Sequence, residues 1–509
     1  MKVLRRIVGN TVVSLFGQVI TWASTFVLTI AYGRFLGDVQ FGKLYFALTF
    51  VSLIGFPIEF GFNQQLTRDI AQQPENSRRY VSNTVFLKVL CWLLLYGILV
   101  LLCWGLGYPS EQRLLVGICG LTLLSTAMTN TFASIHYARE QVVFAVVGTM
   151  LEKGLGAIIG FILLKLGCGI VVMAFILLGA SLTNSLWQAV WYFRFVGVHF
   201  ALERALMRQL LRTSVPFLLY GVLGVIYYRV DTVLLSLMTN DAVVGWYGAG
   251  YRLFDTLVFL PNIIISAIMY PVFSRLSLHS PRQLKIALEK SLNFLLICGL
   301  PIATAMIAAA PSIIGFLYHR ADYTNSIPVL QALAPGLVFL YINTALSTTI
   351  VSMRQEKKIP IMASAALVFN LALNIVLIPL YQHIGAAIVT SLTELLLLGM
   401  SIPLVPRSVR PAGSVLVGIK ALLSSLAMAL VLLLLGRFPI YASLPVAVLA
   451  YLVVATLLGT IPRADIQALY SSVRQRTQHA DASDAAEQKA IQAQTDELAV
   501  DLGEKSHTS

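Results

Sequence analysis

Apolar stretches about 20 residues long recur from one end of this chain to the other, separated by short polar turns. A helix needs about 20 mostly apolar residues to cross about 30 Å of hydrocarbon. Fourteen candidates are present, at roughly 10–33, 42–65, 83–106, 113–137, 141–165, 169–193, 212–238, 242–273, 288–310, 325–352, 359–380, 384–405, 413–435 and 439–461. The eighth is long and contains Pro261 and Pro271, so it is expected to bend or overrun the membrane. No connection is large enough to form a folded domain outside the bilayer. Composition agrees: 58% of the residues are hydrophobic and 12% are charged, against roughly a quarter charged in soluble chains. The chain is read as an all-α, polytopic membrane protein.

The formal net charge of +13 would suggest nucleic acid in a soluble protein. Here the cations fall into the alternation expected of cytoplasmic loops. With the N-terminus inside, inner segments carry twenty Lys and Arg, from Lys2, Arg5 and Arg6 to Arg407 and Arg410. Outer segments carry six: Arg34, Lys43, Arg113, Lys165, Arg320 and Arg437. A missed or invented span would scramble this pattern beyond the error. Both termini are therefore expected in the cytoplasm. The start reads as an uncleaved first span, with Lys2, Arg5 and Arg6 ahead of a long apolar run and no small-residue cleavage site. The end reads differently. Residues 461–476 suit an interfacial helix, and 478–509 are expected to be a polar, acidic tail, disordered or weakly helical.

The five cysteines, Cys91, Cys103, Cys119, Cys168 and Cys298, show no metal-like or redox-like spacing. Neither do the seven histidines, among them His136, His319 and His383. No metal, disulfide or cofactor is expected. The sequence has no G-x-x-x-x-G-K-[ST] loop and no soluble nucleotide domain. No nucleophile, base and orienting group stand together, so the chain is read as a transporter and not an enzyme.

Two segments resemble one another. Gly33-Arg34-Phe35-Leu36-Gly37 followed by Phe41-Gly42-Lys43-Leu44-Tyr45-Phe46-Ala47 joins spans one and two. Asp231 followed by Val244-Gly245-Trp246-Tyr247-Gly248-Ala249 joins spans seven and eight. Each leads from an outer turn into an aromatic-Gly-small helix start, and the two would run in the same direction. Such a parallel repeat implies a pseudo-twofold along the membrane normal.

Arg34–Ala47 resembles the first-loop signature of the polysaccharide transporters, the Wzx-type oligosaccharide flippases. Ser214-Val215-Pro216, Tyr228-Arg229-Val230-Asp231, Gly245-Trp246-Tyr247 and Pro271-Val272-Phe273-Ser274-Arg275-Leu276 resemble their seventh and eighth helices. A third match contains Asn370, Asn374, Leu377-Ile378-Pro379, Gly385-Ala386-Ala387 and Thr393-Glu394. The resemblance implies the fold of the multidrug/oligosaccharidyl-lipid/polysaccharide superfamily: two six-helix lobes in a V plus two further helices. On this chain the lobes would be 1–195 and 196–410, the extra spans 411–462, and the cytoplasmic tail 463–509. It also implies a function. The chain would flip an undecaprenyl-diphosphate-linked oligosaccharide for O-antigen or exopolysaccharide assembly, by alternating access coupled to an ion gradient. A polysaccharide polymerase and chain-length machinery would be its partners. A proton- or sodium-coupled multidrug efflux pump and a peptidoglycan-precursor flippase are the alternatives.

Ionisable side chains inside a bilayer are costly and normally face a cavity or one another. Counting at 1.5 Å per residue puts Lys153 and Arg252 near the midplane, on spans five and eight, one in each expected lobe. Lys and Arg hold phosphate by charge-assisted hydrogen bonds, so these two, with Arg229 and Arg34 nearer the outer face, are the candidate substrate contacts. A purely structural reading stands beside this one. Arg252 and Asp255, at i and i+3, would neutralise each other, whereas Arg229 and Asp231 point apart. Glu152, Asp255 and Glu394 are the candidates for ion coupling, because a buried carboxylate can take up a proton or help to hold Na⁺. Glu59 lies closer to the inner end. Tyr45, Tyr228, Tyr247, Tyr251, Tyr341 and Asn343 are candidate sugar contacts, although aromatic residues on membrane helices more often pack or anchor.

Overall fold

The computed structural model describes residues 2–59, 61–197 and 201–460. The expected interfacial helix at 461–476 and the polar tail lie outside the described residues. Within them, every regular element is helical. The first half contains α1 (Lys2–Gly55), α2 (Phe62–Gln72), α3 (Ser77–Gly105), α4 (Ser110–Ala138), α5 (Val142–Lys165) and α6 (Ile170–Val196). Then come α7 (Arg204–Met238), α8 (Asp241–Leu257), the single turn α9 (Phe259–Pro261), a π-helical stretch (Asn262–Met269) and α10 (Tyr270–His279). The chain continues through α11 (Pro281–Ala308), α12 (Ala310–Tyr318), α13 (Ser326–Ser352) and α14 (Lys358–Leu404). It ends with α15 (Gly413–Leu434) and α16 (Ile440–Leu457).

Among the described residues, eleven helical stretches are long and apolar enough to cross a membrane. Two of them, Val12–Ile58 and Lys358–Leu404, have 47 residues each, which at the helical rise is about 70 Å, twice what a bilayer needs. Each bends in the middle. Gly37 takes φ 81°, ψ 175° within α1, a backbone that an L side chain rarely adopts. Gln382 takes φ 49°, ψ −127° within α14. Counting each bent helix as two crossings, and α8 through α10 as one more, brings the eleven to fourteen, the number of apolar runs.

The span expected at 42–65 is not continuous. Its helix stops at Gly55, passes through a 3-10 turn at Phe56–Ile58, and restarts at Phe62. Pro57 cannot donate to the ladder, and a polar cluster holds the break. The Lys88 ammonium, fully buried on α3, lies 2.9 Å from the Glu59 carboxylate, 2.8 Å from Asn63 Oδ1 and 3.3 Å from the Ala127 carbonyl. Asn130 donates to the other Glu59 oxygen at 2.8 Å. Span eight breaks where its prolines foretold: α8 ends at Leu257, and Pro261 closes α9 ahead of the π-helical stretch. Such stretches are rare and often mark functional helices.

α1, α3, α4, α5 and α6 pack among themselves, as do α7, α8, α11, α13 and α14. α15 packs on α11, and α16 on α15 and α12. The two groups meet chiefly where α1 crosses α7 and α8. At the Gly37 end this seam is reciprocal. A Cβ on Gly42 would lie 1.9 Å from the Asp241 carbonyl oxygen, and one on Gly245 would lie 2.1 Å from that of Asp38. Asp38 and Gly42 are four residues apart, as are Asp241 and Gly245, and each pair's glycine meets the other pair's aspartate backbone. Only glycine permits this approach. The Trp246 indole N–H donates to Asp38 at 2.9 Å, Gln112 donates to Asp241, and Tyr108 and Ser236 hydroxyls meet at 3.1 Å. The repeated aromatic-Gly-small motif therefore builds the contact between the two groups.

At the opposite end, the first turns of α7 dock on α2 and α3. The Ser214 hydroxyl donates to Gln65 at 2.9 Å, and Leu206 and Leu210 are buried against Phe62 and Leu87. Arg79 donates to both oxygens of Glu203; that bonding holds the part-exposed Glu203 carboxyl below the ordinary range.

Candidate functional site

Three of the ionisable candidates come together. α5 carries Glu152 and Lys153, α8 carries Arg252, and all three line one cavity of about 240 Å³ whose other walls are α1 and α6. The α1 wall mixes Ser24, Thr25, Thr29, Tyr32 and Tyr45 with Leu28, Phe41, Leu44 and Leu48. Thr25, Thr29 and Tyr32 follow the i, i+4, i+7 spacing that puts side chains on one helix face. A second space, of about 170 Å³, lies between α1 and α8 and reaches Asp255, Thr256 and Tyr318. Arg252, Thr25 and Thr29 line both.

The charges pair differently from the local expectation. Lys153 is neutralised by its neighbour Glu152 at 2.6 Å, whose other oxygen accepts from Asn184 on α6 at 2.8 Å. Asp255 does not take Arg252. It pairs with Arg229 of α7 at 3.2 Å, and the Arg229 guanidinium also sits 5.9 Å from the centre of the Tyr251 ring. Arg252 is left with no ion pair among the described residues. Its guanidinium lies 5.3 Å from the centre of the Tyr45 ring, a cation–π arrangement that orients the group without cancelling its charge. Its buried Nε has no hydrogen-bond partner, and neither do the buried hydroxyls of Tyr32 and Tyr45. Nearly all buried polar atoms in proteins are bonded. Three orphans around one cavity that also holds an uncompensated cation suit a polar, anionic ligand.

The remaining candidates lie elsewhere. Arg34 does not line the cavity; its guanidinium donates to the carbonyls of Phe316, at 2.7 Å, and Leu317 in the last turn of α12, where a cation complements the helix dipole. Glu394, 2% exposed, is also outside the cavity. It accepts from the Tyr227 hydroxyl at 2.6 Å and from Asn343 at 2.8 Å, and has no ion pair among the described residues. Asp231 accepts from the Tyr247 hydroxyl and from the Thr232 amide. Among the aromatic candidates Tyr45 reaches the cavity, while Tyr341 donates to the Leu257 carbonyl at 2.8 Å. Asn374 donates to Asn370, and Asn370 to Thr393, tying the two arms of α14 together. Lys88 and Tyr32 were not singled out from the sequence. Lys88 had a signal, since a lysine well inside an apolar run needs a partner. Tyr32 had only the weak polar stripe on α1.

A helical bundle that crosses the membrane many times around a cavity lined by ionisable side chains has the architecture of a multi-pass transporter. Comparison with known proteins narrows the class. A family model described as polysaccharide biosynthesis protein matches residues 7–277, and one described as lipid II flippase MurJ matches residues 194–459. Each spans more than half of the chain. The protein belongs to the polysaccharide and lipid-linked flippase family of the multidrug/oligosaccharidyl-lipid/polysaccharide superfamily. Among solved structures, lipid II flippase MurJ in an inward closed conformation aligns with TM-score 0.73 and 17% identity over 89% of this chain and 99% of that one. An inward-facing multidrug resistance MATE transporter aligns with TM-score 0.61 and 16% identity over 76% of this chain and 96% of that one. A superfamily transporter from Pyrococcus furiosus aligns with TM-score 0.53 and 15% identity over 78% and 94%. At these identities the likeness is one of fold. No curated protein sequence matches the chain.

Proposed function

We propose that the protein flips an undecaprenyl-diphosphate-linked oligosaccharide across a bacterial inner membrane, for O-antigen or exopolysaccharide assembly. The observation that carries this reading is Arg252, an uncompensated guanidinium lining the cavity beside the orphan hydroxyls of Tyr32 and Tyr45. A diphosphate needs compensating charge in a low-dielectric interior. Arg252 supplies net charge, and Lys153 supplies a donor from a pair that a diphosphate can reorganise; Arg229, held by Asp255 outside the lining of both spaces, is the next cation on the route. Tyrosine and threonine hydroxyls suit a sugar. A cavity serving cationic drugs would instead favour an excess of carboxylate, which argues against multidrug efflux. Lipid II is also a diphosphate-linked glycan, so the match of residues 194–459 to the MurJ model makes peptidoglycan-precursor flipping the second reading. Deleting the gene and identifying the lipid-linked glycan that accumulates separates them: an O-unit or exopolysaccharide unit supports the first, and lipid II overturns it.

In this reading the two groups of helices, residues 1–195 and 196–410, act as lobes that rock about the cavity. The Gly37 end faces outward, and both termini are cytoplasmic. Reporter fusions after Arg139 and at Gln478 should then read cytoplasmic, and one at Asn240 external; an external signal at Gln478 would break this topology. Glu152, Asp255 and Glu394 are the proposed coupling carboxylates.

Rocking also requires the reciprocal glycine seam to part. Asp38→Cys and Trp246→Cys, joined by a short cross-linker in a cysteine-free background, should arrest transport, and cleaving the link should restore it. Full activity with the link in place would count against rocking.

A further inference from the structure

The Glu152–Lys153 pair is backed by two buried amides. Residues at i and i+4 share a helix face, and on α5 the row Gly148, Glu152, Gly156 packs antiparallel against the row Gln188, Asn184, Ala180 of α6. Asn184 is 2% exposed and Gln188 is fully buried. The Gln188 amide nitrogen donates to the Ala145 carbonyl at 3.2 Å and to the Phe144 carbonyl at 3.4 Å. It also donates to Asn184 Oδ1 at 3.2 Å. Carbonyls only accept, so α5 fixes which end of the Gln188 amide faces it. With its oxygen taken by Gln188, Asn184 can turn only its NH2 toward Glu152, and it donates there at 2.8 Å. Gly148 leaves room for this arrangement. A Cβ there would lie 2.3 Å from Asn184 Oδ1 and 2.6 Å from Gln188 Nε2, so an alanine would push both amides off their partners.

We infer that Asn184, held by Gln188, is a positioning residue for the substrate phosphate and acts through Glu152 on Lys153. The inference rests on the Arg252 cavity being the substrate site. Adjacent residues on a helix do not face each other, so α5 alone does not fix Glu152 against Lys153. Asn184 draws one carboxylate oxygen toward α6 and leaves the other for the Lys153 ammonium at 2.6 Å. The ammonium, on a side chain 41% exposed, is thereby stationed at the cavity wall. It is also held by one oxygen only, so an arriving phosphate can draw it away through a charge-assisted bond. Without Asn184 both oxygens would turn to Lys153, and the phosphate would have to displace a tighter pair. Neither Asn184 nor Gln188 lines the cavity, so their effect on the substrate is indirect.

The test is equilibrium binding of undecaprenyl diphosphate to the purified full-length protein, with thermal unfolding of each variant alongside. Asn184→Ala should weaken binding about three- to tenfold, the range of coupling between residues in contact. Gly148→Ala, which displaces the two amides and keeps every donor, should weaken it in the same way. In a Lys153→Met background, Asn184→Ala should change the affinity by less than about twofold, because the group it acts through is gone. A merely structural role would weaken binding equally in both backgrounds. That result, or an unchanged affinity in Asn184→Ala, would overturn the inference. Arg252→Ala tests the underlying reading separately. If it leaves the affinity unchanged, the cavity is not the phosphate site and both ideas fall. If it weakens binding while Asn184→Ala does not, the positioning role alone fails.

Discussion

Arg252→Ala is expected to reduce glycan export by about ten- to a hundredfold, the cost of removing a hydrogen bond to a charged group from a site that must hold phosphate. The protein should remain inserted and abundant, because Arg252 closes no ion pair. Arg252→Lys should restore part of the activity, since the charge returns without the planar fork. Pairing in the molecule sharpens the test. If Arg252 merely balanced Asp255, removing both would restore function. Asp255 instead holds Arg229, so Arg252→Ala with Asp255→Ala should be no better than Arg252→Ala alone, and should also leave Arg229 uncompensated. Recovery of export in the double variant would sink the substrate-binding role of Arg252 and move it to Lys153 and Arg229.

The second large effect concerns stability. Lys88 is fully buried, and its three donors are taken by Glu59, Asn63 and the Ala127 carbonyl. Lys88→Met would leave the Glu59 carboxylate without its cation at the break in span two. Removing one partner of a fully buried pair costs about 3–5 kcal/mol. Glu59 is 26% exposed and keeps Asn63 and Asn130, so the loss should lie toward the lower end of that range, still enough to lower the amount of folded protein. Lys88→Met with Glu59→Gln should recover most of that loss, because no unpaired charge remains and Asn63 and Asn130 can still bond the amide. Thermal unfolding of the purified variants reads this directly. A Lys88→Met protein as stable as wild type would mean that Glu59 finds water or another donor, and that the pair does not hold the break. Arg252 and Lys88 thus make opposite demands: one should cost transport and spare the fold, the other should cost the fold first.

The apolar runs alone fixed the crossing number, because a membrane span is a one-dimensional requirement of length and hydropathy. They also located the bend of span eight, since proline acts through its own backbone. The family was legible in short motifs, although what those motifs do was not: Gly42 and Gly245 proved to be the seam between the two groups, a role that exists only once the groups are packed. Lys153 and Arg252 were placed near one depth by counting along their helices. Their meeting in one cavity, and the transfer of Asp255 from Arg252 to Arg229, were decided by tertiary structure. The physical reason is the range of the interactions. Hydropathy and helix-breaking are summed along the chain, whereas the energy of two charges in a low-dielectric interior depends on their separation to within an ångström. Spacing along one helix offered Arg252 the partner at i+3, but α7 brought a second guanidinium closer, and that left Arg252 with its charge unspent.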